Sequence, residues 1–109
     1  MLATAHRAAA DDGARLIPFG HLVEGNLHLN FLGATAPALI AESVLTAVAR
    51  LGGTISAEHG IGVAKTEWLH LVRSRADLDA QRALRRALDP NGILNPGVLD
   101  PSVPALQVP

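Results

Sequence analysis

The 109 residues contain no cysteine. That absence excludes a disulfide framework and any thiolate metal site, and it leaves the redox compartment open. Basic residues form no run longer than Arg85-Arg86 and the formal net charge is −1, so there is no phosphate-tracking surface and nucleic acid is not an expected partner. No apolar stretch approaches the roughly 20 residues that a membrane span needs. Arg7, Asp11 and Asp12 interrupt the opening segment before it could serve as a signal-peptide core. A cytoplasmic location is the default these absences leave. Internal repeats and low-complexity tracts are missing too.

What is present is an apolar chain, 49% hydrophobic and 17% charged, which argues against disorder. Its length allows one core and falls well short of most complete enzymes. An apolar composition in so short a chain also points to surface that meets a partner, a second copy of the chain included.

Along the chain, alanine-rich Leu2 to Asp12 followed by Gly13 reads as the last turns of a helix, so the sequence opens inside an element. Arg15 to Phe19 and Leu27 to Leu32 read as strands, with Pro18 demoting the first to an edge or an early stop. In the second strand His28 and Asn30 lie on one face, and Leu27, Leu29 and Phe31 on the other. Pro37 to Arg50 predicts a helix that ends at Gly52-Gly53. Thr54 to Ala57 reads as a short strand-like approach. Further helices are expected from about Val63 to Val72 and from about Ala76 to Leu88, and Asp89-Pro90-Asn91-Gly92 then breaks the chain. The tail from Asn95 shows no period and reads as an extended arm.

Three of the five histidines sit in two short segments, Gly20 to Asn30 and Ser56 to Gly62. If Glu24-Gly25 is a two-residue hairpin loop, His21 lies directly opposite His28, at a Cβ separation of about 4.5–5.5 Å that one ion could bridge. A Gly25-Asn26 loop would instead pair His28 with Val23. Two neutral imidazoles and one carboxylate form the ligand set of open zinc and non-haem iron sites. Glu58 is the best third ligand, with Glu24 the alternative. A lone histidine is more often a satisfied surface or core residue, and two bracketing a turn with Glu-His between glycines later bring the two readings level.

His59 follows Glu58 directly, and both can serve one site only if the backbone turns, which Gly60 and Gly62 permit. Beside a cation, the charged form of His59 is disfavoured, which suits a general base. Asn30 shares the strand face of His28 and can donate to a bound carboxylate or flavin carbonyl, or simply end a sheet. Gly60-Ile61-Gly62 is a weak phosphate-cradle signal. Lys65, the single lysine, either reaches back toward an anion or is solvated. Trp68 suits a core or interface anchor, and His6 and His70 suit exposed positions.

Three ordered blocks give these residues a family context: Gly20-His21-x-x-Glu24-Gly25-Asn26-Leu27-His28, then Gly53 through Gly62, then Leu88 through Gly97. The chain resembles the C-terminal domain of FAD-linked oxidases of the vanillyl-alcohol oxidase type, in the branch with D-lactate dehydrogenase, the glycolate oxidase D subunit and D-2-hydroxyglutarate dehydrogenase. The resemblance implies an α+β, ferredoxin-like cap domain, an antiparallel sheet with helices on one face. Residues 1–99 would be the C-terminal part of that domain and 100–109 an extended tail. It implies FAD held mainly by a domain absent from this chain. It also implies a divalent metal, commonly zinc, bound by residues matching His21, His28 and Glu58, which anchors the hydroxyl and carboxylate of a small 2-hydroxy acid. His59 would take the hydroxyl proton while hydride passes to the flavin. Asn30 would contact substrate or flavin, and the Asn95-Pro96-Gly97 turn would lead the tail toward the flavin domain.

Two departures from the family pattern stand out. The usual Gly-Asp-Gly-Asn turn reads Val23-Glu24-Gly25-Asn26, and the lysine that often follows Asn-Pro-Gly is Val98. The flavin-binding portion and the first half of the cap have no counterpart in these residues. Two readings follow: the catalytic half-domain of an FAD-dependent 2-hydroxy-acid dehydrogenase, active only with a flavin-binding domain or subunit, or a non-catalytic metal-binding or interaction remnant of one.

Overall fold

The structure, a computed structural model, describes residues 1–99 other than Ala57 and His59. The chain divides into two units, Met1–Gly53 and a second beginning at Thr54. Among the described residues they hold helices and a two-stranded antiparallel sheet, the α+β class expected.

In the first unit, helix α1 (Leu2–Asp12) ends at Gly13, whose left-handed backbone (φ 77°) turns the chain into strand β1 (Arg15–His21). Strand β2 (Asn26–Leu32) returns antiparallel, and helix α2 (Pro37–Arg50) follows. The alanines of α1 give it a face without bulk. Ala5 and Ala9 are buried, and Ala5 packs on Ile40 and Val44 of α2. Leu16, Leu29 and Phe31 close this core from the sheet side, so one face of the ribbon is covered by helices and the other is turned away from them. Burying side chains the size of Ile40 and Val44 stabilises by about 1.5–3 kcal/mol each.

Strand β1 runs two residues further than the sequence suggests, straight through Pro18, which pairs with Leu29. A two-stranded ribbon leaves each strand one open edge, where a residue without an N–H costs no ladder bond.

The second unit opens without a strand at Thr54 to Ser56, where the Ser56 N–H donates to the Thr54 hydroxyl at 3.1 Å. The helix expected over Val63 to Val72 is a 3₁₀ helix confined to Thr66–Leu71. Trp68 and Val72 donate to the carbonyls three residues back, and the Thr66 hydroxyl bonds back to the Gly62 carbonyl at 2.6 Å. Helix α3 (Arg75–Leu88) starts at Ser74 in a reciprocal capping box with Asp77.

Beyond α3 the expected extended arm is absent over residues 95–99. The Val98 N–H donates to the Asn95 carbonyl at 3.3 Å, and Asn95 itself takes φ 42°. Arg85 holds this turn, its guanidinium donating to the carbonyls of Val98 (2.8 Å), Asn95 (2.9 Å) and Leu94. Residues 100–109, expected as an extended tail, lie outside the described residues.

Candidate functional site

The ribbon connection decides how the candidate ligands meet. Leu22–Glu24 form one 3₁₀ turn, closed by Gly25 at φ 70° with its N–H on the Leu22 carbonyl at 3.1 Å. The loop therefore has four residues, and neither two-residue alternative occurs. His21 pairs with Asn26, and His28 pairs with Phe19. Direct opposition of His21 and His28 is thus corrected to a diagonal relationship on the same face.

That outward face carries, in register, Ile17 opposite Asn30, Phe19 opposite His28 and His21 opposite Asn26. Alternation along β2 falls as expected, with His28 and Asn30 away from the core-facing Leu29 and Phe31. His21 and Asn30 are exposed and His28 is half-buried. The rings of Phe19 and His28 stack with centroids 4.8 Å apart and planes 9° from parallel.

Gly20 fixes the pairing. It adopts φ 140°, and a Cβ there would collide with the Asn26 carbonyl oxygen and lie 3.2 Å from Leu27 Cα. Only a residue without a side chain lets the two backbones approach this closely.

In the second unit, Glu58 is exposed on a turn. Gly60 and Gly62 both take positive φ, 67° and 57°, so the backbone does turn after Glu58. His59, the expected base, lies outside the described residues. Among the described residues no group of three or more potential ligands gathers around one point, and Glu24 stands at the ribbon's tip, exposed. The Lys65 ammonium donates to the Ile55 carbonyl at 3.1 Å. His6 and His70 are exposed as expected. Asn95, the other expected flavin contact, has its carbonyl engaged by Arg85 and the Val98 N–H.

Sequence reasoning missed the knot that holds this last turn. Asp89, buried, accepts from the backbone of Leu94 (2.9 Å) and Ile93 (3.0 Å) and lies 4.0 Å from the Arg85 guanidinium. Those backbone donors, the Leu94 N–H foremost, hold its carboxyl below the usual range. The visible signal was Arg85 and Asp89 one helical turn apart, just ahead of a Pro-Asn-Gly turn.

The family model for FAD linked oxidases, C-terminal domain, matches residues 1–99. The chain belongs to this family. It is 40% identical over 91 residues to a D-2-hydroxyglutarate dehydrogenase of Stutzerimonas stutzeri, covering 75% of this chain and 20% of that protein. The mitochondrial D-2-hydroxyglutarate dehydrogenase of Arabidopsis thaliana is 37% identical over 94 residues, covering 83% and 17%. The glycolate oxidase subunit GlcD of Bacillus subtilis is 38% identical over 96 residues, covering 82% and 20%. The chain thus spans about a fifth of the length of these relatives. No solved structure matches it significantly. Within the described residues, no helix is long and apolar enough to cross a membrane.

Proposed function

We propose that this chain forms the substrate-facing part of an FAD-dependent oxidoreductase acting on a 2-hydroxy acid of the D-2-hydroxyglutarate, D-lactate or glycolate type. It works with a flavin-binding portion that lies outside these 109 residues. The observation that carries this reading is the outward ribbon face, where His21, His28 and Asn30 stand together on the side away from the core, in a chain similar to two dehydrogenases and an oxidase subunit.

The donor set suits a divalent ion such as zinc. Imidazole nitrogens are donors of the kind a zinc–nitrogen bond of roughly 2 Å requires, and Glu58 is the carboxylate proposed to join His21 and His28. Bound there, the ion would supply positive charge for the hydroxyl and carboxylate of the acid, and FAD would supply the hydride acceptor. The chain's own residues do the rest. His21, His28 and Glu58 orient the acid, His59 removes the hydroxyl proton, and Asn30 donates to the substrate carboxylate or a flavin carbonyl. The turn at Asn95, tied by Arg85, would lead the chain toward the flavin portion.

The test is a chimera in which this chain replaces the matching segment of the Stutzerimonas relative. Anaerobic flavin bleaching by at least one of the three acids, with metal content measured alongside, is the expected result, and His28→Ala should remove both. A chimera that holds flavin and metal yet never bleaches would establish the non-catalytic remnant instead.

A further inference from the structure

We infer that the outer edge of strand β2 is a docking edge, which in the working enzyme takes a further strand from the portion lying outside these 109 residues. This rests on the reading proposed above, in which such a portion completes the enzyme. Pro18 fixes which way each backbone group points. The pairing runs through it without a break, and a residue with no N–H leaves a ladder intact only where its nitrogen faces away from the partner strand. Pro18 and Leu29 are therefore a non-hydrogen-bonded pair. Gly20 agrees, since a Cβ there would lie 3.2 Å from Leu27 Cα, which fits the closer α-carbon approach of such a pair.

Antiparallel pairs alternate, so Leu16, Pro18 and Gly20 turn their backbone groups to the open edge of β1, and Leu27, Leu29 and Phe31 turn theirs to the open edge of β2. The two edges differ. That of β1 lacks a donor at Pro18 and has a φ of 140° at Gly20, so a strand laid along it would lose its central bond. That of β2 offers three N–H and three C=O groups in a row. No proline, glycine or charged side chain interrupts Asn26–Leu32. Among the described residues, no backbone group of Leu27, Leu29 or Phe31 bonds outside the ribbon. Natural sheets guard an edge that stays exposed with proline, charge or a bulge; β1 is guarded in this way and β2 is not. The occupant follows from length. The chain spans about a fifth of the relatives it matches, so most of such an enzyme remains to supply the third strand. A strand held in the same molecule or complex is presented at an effective concentration of millimolar order, which a second copy of this chain at micromolar levels does not match. Because the added bonds lie in the plane of the sheet, they extend the outward face rather than cover it.

The test is deuterium exchange resolved to single amides, in the 109-residue chain and in the chimera with the Stutzerimonas relative. The Leu27, Leu29 and Phe31 amides should exchange at least about 100-fold more slowly in the chimera, while those of Leu16 and Gly20 stay within about threefold of their rates in the chain alone. Leu27→Pro, compared with Leu27→Ala, should lower the unfolding midpoint by several degrees in the chimera and by no more than about one degree in the chain alone. Unchanged rates on β2 in the chimera would overturn the docking edge. Equal slowing at Leu16 and Gly20 would do the same, by showing general burial in place of strand addition. Slow exchange on β2 in the chain alone, rising with concentration alongside a dimer in sedimentation, would give the edge to a second copy and overturn the proposed occupant. A chimera that protects β2 yet never bleaches its flavin fails the catalytic reading and leaves the added strand standing; one that bleaches with β2 unprotected does the reverse.

Discussion

Asp12 and Ala36 are 24 positions apart, yet the Asp12 carboxylate accepts the Ala36 N–H at 2.6 Å. It also accepts the backbone N–H and hydroxyl of Thr35, at 2.8 and 3.0 Å. Helix α2 begins after Ala36, whose side chain cannot cap it, so the cap comes from the last turn of α1. One side chain thereby satisfies a helix N-terminus and pins the two helices that cover the ribbon.

Asp12→Ala should therefore lower the unfolding midpoint of the first unit by several degrees. The same contacts, the Thr35 N–H foremost, hold the Asp12 carboxyl below its ordinary 3.8. A folded-state pKa below the unfolded one means the contribution is complete above about pH 4 and is lost as pH falls through the depressed value. Thermal unfolding followed from pH 7 to pH 2 should show the wild type and Asp12→Ala converging at the acid end. A constant gap at every pH would show that the carboxylate is not the capping group.

Gly20→Ala should cost at least about 2 kcal/mol, since the added methyl meets backbone on the facing strand and the φ of 140° is strained for any L side chain. Gly25→Ala meets nothing within 4 Å and should cost only the left-handed penalty of about 1–2 kcal/mol. Urea unfolding of the two variants orders them. Equal losses would mean that the strands relax apart at Gly20 and that register is set elsewhere.

At the end of α3, Asp89→Ala should speed exchange of the Ile93 and Leu94 amides at least tenfold, because both N–H groups lose their acceptor. In the wild type the Leu94 amide shift should titrate with a midpoint below 3.8, following the lowered Asp89 carboxyl. Arg85→Lys should not restore the turn at Asn95, since one ammonium cannot reproduce a planar fork that reaches three carbonyls. Fast exchange at Val98 in Arg85→Lys, whose N–H closes that turn, is the outcome to look for.

Much of the first unit was legible because each element carries its own punctuation. Gly13 stops α1, and Pro37 and Gly52-Gly53 bracket α2. The register was not, because Leu22 and Val23 look like strand residues and only the fold shows that they roll into a 3₁₀ turn. A loop longer by two residues moves His28 from opposite His21 to opposite Phe19 without changing which face either occupies. The 3₁₀ helix at Thr66 escaped for a related reason: a threonine hydroxyl bonding back to Gly62 competes with regular helix in a way that periodicity does not record. At Ser74 the capping signal was present with Asp in place of the commoner Glu or Gln. The carbonyl knot around Arg85 depends on contacts nine to thirteen residues apart, which no local pattern encodes.

In the chimeric enzyme, substitution can separate the base from the metal ligands. His59 adjoins Glu58 and precedes Gly60 and Gly62, whose positive φ values turn the chain there. If His59 is the base and Glu58 a ligand, then His59→Asn should lower the rate of flavin bleaching on the order of 100- to 10,000-fold while zinc content stays near that of the unsubstituted chimera. Glu58→Gln should do the reverse first, releasing zinc and with it substrate binding. The sign of the separation is the test. Zinc lost in His59→Asn would make the histidine a ligand and remove Glu58 from that role. A rate within about threefold of the unsubstituted chimera would place the base elsewhere in the enzyme.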